Sequence, residues 1–293
     1  EPAELYAAKT GEEIVNEQTY TFTDRGNRQV TLRPEMTPTI ARMIAARKRE
    51  LSFPLRWYSI ANIFRYEQPQ RGRLREHYQL NVDLFGIRGI EAEVEIISVA
   101  YQIMKVLDIK DEDFEIRINS REKLQEKIKG ALKNPENLSQ AMRLLDKKEK
   151  MGDEFENKWN EIASLPIKDI EMPENVSLLL GLLRKNNIKN AVFYPTLVRG
   201  FDYYTDIVFE IFDKSPKNRR ALFGGGRYDE LLDIFGEEKV PAVGFGMGDV
   251  TAHDFLETHN LMPKYESPIS LYICVMGPEI SDFANQTAET LRA

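Results

Sequence analysis

Leu197-Val198-Arg199-Gly200-Phe201-Asp202-Tyr203-Tyr204 sets one arginine among glycine, aromatics and a carboxylate at the start of a strand-like pattern. Phe223-Gly224-Gly225-Gly226-Arg227-Tyr228-Asp229 follows it and reads as a glycine-rich turn. An arginine on a strand offers a fixed, forked cation for phosphate or carboxylate. Glycines let a ligand approach the backbone with no Cβ in the way. The plain alternative is an arginine that only pairs with a neighbouring carboxylate. The residues upstream favour a site for a phosphate and a small ligand.

Those residues form a predicted hairpin. Leu55 to Glu67 and His77 to Gly86 read as two strands, joined by a loop rich in Arg, Gln, Pro and Gly. Side chains alternate along a strand, so Gln79, Asn81 and Asp83 share one face while Tyr78, Leu80, Val82 and Leu84 take the other. Arg65 and Glu67 share a face of the first strand. Pairing the strands builds a polar floor of Arg65, Glu67, Gln79, Asn81 and Asp83 over an apolar backing, where an ordinary antiparallel sheet would simply have one wet face. The loop sets Arg71, Arg73 and Arg75 against Glu76. Arginines can bond phosphates and read base edges, and the alternative is a solubilising loop.

Composition bounds the class. The 293 residues are 42% hydrophobic and 30% charged, as expected of an ordinary folded chain. Net charge is −7, which argues against a nonspecific nucleic-acid coat and leaves room for a local basic patch. No apolar run reaches the roughly 18 to 20 residues of a membrane span, and no signal-peptide pattern opens the chain. Cys274 is the single cysteine and there are three histidines, so neither an internal disulfide nor a structural zinc site is expected. The chain opens and closes inside helix-like phrases, at Glu1 and Ala293, and reads as cut from a longer protein.

Along the chain, Thr19 to Thr23 and Gln29 to Leu32 read as a hairpin, and Thr37 to Glu50 as a helix with Pro38 in its first turn. Ile90 to Leu107 reads as a helix and Phe114 to Ile118 as a strand. From Ser120 to Asn187 Lys and Glu dominate and apolar residues recur at helical spacing, giving a helical insertion with a solvated face or an RNA-facing one. Strands at Ala191–Tyr194, Tyr203–Phe212 and Ala242–Met247 follow, with helices at Tyr228–Phe235 and Val250–His259. After a linker at Met262–Pro268, Ile269 to Met276 reads as a strand and Ile280 onward as a helix.

The two opening segments, together with Leu32-Arg33-Pro34-Glu35-Met36-Thr37-Pro38 and Phe64-Arg65-Tyr66-Glu67-Gln68-Pro69-Gln70-Arg71-Gly72-Arg73, resemble the histidyl-tRNA synthetase family in its own motif order. The resemblance covers nearly the whole chain and is least specific between Tyr101 and Lys189. It implies an α+β fold, the class II synthetase antiparallel sheet flanked by helices, with a helical insertion and the start of an α/β anticodon-binding domain. The expected division is 1–119 and 190–261 for the catalytic core, 120–189 for the insertion and 268–293 for the truncated second domain.

By the same resemblance Arg65 contacts the ATP α-phosphate and Glu67 the adenine, with Tyr78 and Arg227 also on the ATP side. Glu35, Thr37 and Gln79 would hold the substrate amino group, although Thr37 could equally cap a helix. Asp83 and Tyr204 would lie near the imidazole, with Tyr228 lining the pocket and Tyr203 also on the histidine side. Arg199 would contact the carboxylate and α-phosphate region and, with Arg65, carry catalysis. Arg71, Arg73 and Arg75 would touch the tRNA acceptor end. Implied partners are L-histidine, ATP with Mg²⁺ as its substrate complex, histidine tRNA and a second copy in a homodimer. A cytoplasmic location is implied, with no membrane and no protein metal site. Two positions depart from the pattern: Asp83 replaces a glutamate, and Thr251 stands where an arginine for the γ-phosphate belongs, leaving Arg227 as a candidate substitute. Rival readings are a noncatalytic, histidine-binding regulatory subunit of the same fold and a pure RNA-binding module.

Overall fold

A computed structural model describes residues 1–7, 17–152, 154–199, 203–218, 220–264 and 266–292. Gly200, Phe201 and Asp202 of the opening motif therefore lie outside the described residues. Residues 1–261 form one compact unit and residues 262–293 another.

The first unit begins with α1 (Glu4–Ala7), the hairpin β1 (Tyr20–Thr23) and β2 (Gln29–Leu32), and α2 (Thr37–Arg47). Then come β3 (Leu55–Phe64), β4 (Glu76–Phe85), α3 (Glu91–Val106) and β5 (Phe114–Ser120). The insertion supplies α4 (Arg121–Lys129), α5 (Leu138–Asp146), α6 (Lys148–Met151), α7 (Glu154–Ile162) and α8 (Glu174–Lys185). The sheet resumes with β6 (Ala191–Phe193), β7 (Ile207–Asp213), β8 (Ala221–Arg227) and β9 (Ala242–Gly248), followed by α9 (Asp249–Thr258). Seven strands run in the order β3-β4-β9-β8-β7-β5-β6. Every neighbouring pair is antiparallel except β5 with β6.

Alternation divides the sheet into two faces. Leu84, Ile116, Phe209, Val243 and Phe245 pack with the apolar stripe of α3 and α8. On the other face Phe85, Val208 and Ala242 join Ile40 and Ile44 of α2 and the aromatics Tyr203, Tyr204 and Tyr228. The insertion has a core of its own, centred on the fully buried Trp159, whose indole donates to the Leu165 carbonyl at 2.7 Å. Val198 belongs to that core, so the residue before Arg199 is anchored in the insertion.

Four expectations change. Phe223–Gly226 is part of a strand and not a turn, because β8 must lie close under other groups, as shown below. Tyr203 to Asp206 is irregular and β7 starts at Ile207; only a short 3₁₀ turn, Leu231–Phe235, occupies the predicted helix after Tyr228. In the second unit α10 (Ser281–Arg292) forms, but Ile269–Met276 is not a strand. A strand needs a paired neighbour for its backbone groups, and no other segment of 262–293 is extended into one among the described residues.

Candidate active site

The second face of the sheet carries a cavity of ≈ 320 Å³. Its floor is bare backbone: Gly224 on β8 and Gly244, Gly246 and Gly248 on β9 all line it. A methyl group on Gly244 would lie 2.6 Å from Asp83 Oδ1 and from the Val82 carbonyl; one on Gly246 would lie 2.6 Å from Gln79 Nε2. A methyl on Gly224 would run into the Arg199 guanidinium and sit 2.9 Å from Glu210 Cα. The glycines thus let long polar side chains from neighbouring segments lie flat across the strands.

At one end Glu35, 2% exposed, accepts a hydrogen bond from the Tyr203 hydroxyl at 2.9 Å. Burial first, then Glu35, pushes the Tyr203 phenol well above its ordinary range, so it remains a neutral donor. Thr37 opens α2 and also lines the cavity. Gln79 donates to Asn81 Oδ1 at 2.9 Å. Over Gly244, on the same face, Asp83, 1% exposed, accepts a short hydrogen bond from Tyr228, and its Oδ2 has no hydrogen-bond partner among the described residues. Burial pushes this carboxyl up to about 7, against the lowering effect of the Tyr228 hydrogen bond.

The middle holds two arginines. Arg65 leaves the end of β3, its Nε bonded to the Pro34 carbonyl at 2.8 Å. Burial lowers its pKa, and Glu35 and Glu67 oppose that shift. Arg199 adopts a left-handed backbone, φ 54°, just beyond the insertion core. Its Nη1 lies 3.0 Å from Glu210 Oε1 and its guanidinium 5.5 Å from the Tyr204 ring centre. At the other end lie Glu67, Arg73 and His77. Burial and the Arg65 charge hold His77 below its usual pKa, which favours a neutral ring.

The structure therefore brings together Glu35, Thr37, Arg65, Glu67, Gln79, Arg199, Tyr203, Tyr204 and Tyr228 around one cavity, with Asp83 on the same face behind Tyr228. It separates four others, Tyr78, Arg227, Arg71 and Arg75. Tyr78 is 56% exposed on the opposite face of β4, since period two pairs the cavity face with His77 and not Tyr78. Arg227 is buried elsewhere, its Nε 2.5 Å and Nη2 2.6 Å from the Glu93 carboxylate and its Nη1 3.2 Å from Asp229. Arg227 is not among the residues that line the cavity. The loop arginines split: Arg73 turns inward to pair with Glu67, Arg71 donates to Thr258 Oγ1 at 3.0 Å, and Arg75 lies 4.3 Å over the Tyr66 ring. Glu67 is the carboxylate that draws Arg73 in.

His77 and Glu210 were not among the expected site residues. His77 shares its alternation with Gln79, Asn81 and Asp83. Glu210 is the one carboxylate inside the apolar run Ile207-Val208-Phe209-Glu210-Ile211-Phe212, an exception that marks a partnered charge.

An antiparallel sheet flanked by helices, with fixed arginines and carboxylates over a glycine floor, defines the catalytic unit of a class II aminoacyl-tRNA synthetase. A family profile described as histidyl-tRNA synthetase matches residues 1–155 and 120–248. A histidine–tRNA ligase of Leptospira biflexa is 43% identical over 298 residues, covering 93% of this chain and 68% of that protein. The chain belongs to the histidyl-tRNA synthetase family of aminoacyl-tRNA ligases. Two solved structures share the fold. A histidyl-tRNA synthetase from Nostoc has a TM-score of 0.71 at 19% identity, over 100% of this chain and 74% of that one. An ATP phosphoribosyltransferase regulatory subunit/histidyl-tRNA synthetase from Bacillus halodurans has a TM-score of 0.70 at 23% identity, over 82% of this chain and 68% of that one.

Proposed function

We propose that this cavity activates L-histidine with ATP and passes the histidyl group to the 3′-terminal ribose of histidine tRNA. The observation that carries the reading is the convergence of Arg65 and Arg199 between a Glu35–Tyr203 end and a Glu67–His77 end. The acceptors Glu35, Thr37 and Gln79 suit the substrate ammonium. Asp83, oriented by Tyr228, faces the imidazole N–H. Glu67 and His77 receive the adenine, with His77 in the place first given to Tyr78.

In the reaction a histidine carboxylate oxygen attacks the α-phosphorus, the bond to the β-phosphate oxygen breaks, and pyrophosphate leaves. Negative charge grows on the α-phosphate oxygens, and Arg65 and Arg199 stabilise it. Mg²⁺ enters with the nucleotide and supplies further charge neutralisation. A ribose hydroxyl of the tRNA then attacks the acyl carbon and releases AMP. Arg71 and Arg75, on the exposed side of the loop, meet the acceptor end. Tyr58, Ile60 and Tyr78 stand 74%, 66% and 56% exposed on the outward face of the edge hairpin, an apolar patch suited to a second copy in a homodimer. Among the described residues no helix is long and apolar enough to cross a membrane, and a cytoplasmic site of action is part of this reading.

Charging of histidine tRNA, followed by acid-gel separation of acylated and free tRNA, tests the whole sequence of steps. Thr251, which carries no charge at the phosphate end, favours the histidine-binding regulatory subunit as the second reading. Histidine binding without adenylate or charged tRNA would select it.

A further inference from the structure

Arg220 belongs to none of the motifs quoted above and does not itself line the cavity, yet it lies against Gly72, which does, at the end that holds Glu67 and Arg73. Gly72, on the cavity wall with φ 75°, marks the place. The Arg220 Cδ and the Asp254 carboxylate lie 3.8 Å, and Thr251 Cγ2 lies 3.7 Å, from the point where a Cβ on Gly72 would sit. Arg220 Nη2 donates to Gln70 Oε1 at 3.0 Å, which holds the guanidinium against the same loop. Its Nη1 is buried and has no hydrogen-bond partner among the described residues. No carboxylate among those residues pairs with it, although Asp254 is close by.

A second cation faces it. Arg73 lines the cavity and pairs with Glu67, which leaves Arg220 the cation at this end with no carboxylate paired to it among the described residues. Burial and the Arg73 charge both lower the Arg220 pKa, and Glu67 offsets them in part. Like charges held together and incompletely hydrogen-bonded are costly unless an anion joins them. Thr251 cannot be the missing partner of a phosphate. Its hydroxyl donates to the Leu222 carbonyl at 2.6 Å, tying α9 to β8. A small residue there also keeps the space beside Gly72 open for the Arg220 side chain.

We propose that Arg220, opposite Arg73, is the second arm of a clamp on the terminal phosphates of the bound nucleoside triphosphate, and does the work of a cation that position 251 lacks. The inference rests on the reading that Glu67 and His77 take the adenine and Arg65 the α-phosphate. Two forked cations then meet the β- and γ-phosphates with charge-assisted hydrogen bonds.

Calorimetric titration with ATP, AMP and histidine, on the protein and on Arg220→Ala, tests it. ATP affinity should fall about 10- to 100-fold in the variant, with AMP and histidine within about twofold. Retained histidine binding reports an intact fold. Should Arg220→Ala lose histidine binding, the comparison passes to Arg220→Lys, expected to weaken ATP several-fold with AMP unchanged. Unchanged ATP affinity, or equal loss for ATP and AMP, overturns the assignment of Arg220 and leaves the nucleotide reading standing. An unsubstituted protein that binds neither nucleotide overturns both.

Discussion

Tyr203 donates to Glu35 Oε2 at 2.9 Å, joining the segment before α2 to the segment before β7. The contact closes one end of the cavity and fixes the carboxylate proposed to meet the substrate ammonium. Tyr203→Phe removes a hydrogen bond to a charged group, worth about 1.5–3 kcal/mol. Histidine KM in the exchange reaction is expected to rise by about tenfold or more, with ATP KM unchanged. Equal effects on both substrates would place the pair outside the amino-acid end.

Arg199 is held by Glu210 and given its space by Gly224. Arg199→Ala is expected to lower the adenylation rate about 10²- to 10³-fold while histidine binding changes far less. Gly224→Ala should reproduce much of that loss, because the added methyl takes the place of the guanidinium. Single-turnover adenylate formation, measured beside histidine binding, checks both. A Gly224→Ala enzyme with normal rate would show that Arg199 does not act from its observed position.

Asp83 contributes a pH dependence of stability. Its carboxyl stands near 7 in the fold and at 3.8 as the reference value, so between those values the native state binds more protons than the unfolded state. The stabilising contribution is present in full below the lower value and is lost as pH rises through the higher one. Asp83→Asn retains an acceptor for Tyr228 and cannot ionise. Urea unfolding at pH 5 and pH 8 should show the unsubstituted protein losing more stability over that interval than Asp83→Asn. Parallel losses would mean that Asp83 titrates elsewhere.

Arg227 is structural. Truncating it leaves Glu93, 2% exposed, as a buried charge without its forked partner, and a loss of about 3–5 kcal/mol in stability is expected for Arg227→Ala. Replacing both residues by methionine should recover most of it. Chemical unfolding of the single and double variants measures the difference. ATP affinity in the folded double variant should match that of the unsubstituted protein, and a selective loss of ATP binding would return Arg227 to the nucleotide site.

Much of the site could be read from spacing. Alternation along β4 puts Gln79, Asn81 and Asp83 together, and the paired strands deliver them over the glycine floor. The same rule assigns His77 to the cavity and Tyr78 to the outside; carrying a role over by motif alone missed that parity. Glycine composition suggested a turn at Phe223–Gly226, whereas the crowding of Arg199, Tyr204 and Glu210 against β8 demands glycines inside a strand. Charge type could not distinguish Arg73, drawn inward by Glu67, from Arg71, held on α9, or reveal that Glu93 neutralises Arg227. Those outcomes depend on partners distant in sequence. Arg220 had no motif to mark it and emerges only where the bend before β8, the loop at Gly72 and α9 converge.

Amino-acid-dependent exchange of pyrophosphate into ATP tests the central claim most directly, because it requires the amino-acid end, both arginines and the phosphate end to act together. Exchange with histidine alone among the twenty amino acids is the expected result. Histidine binding with no exchange would contradict it and identify a histidine-sensing relative of the synthetases.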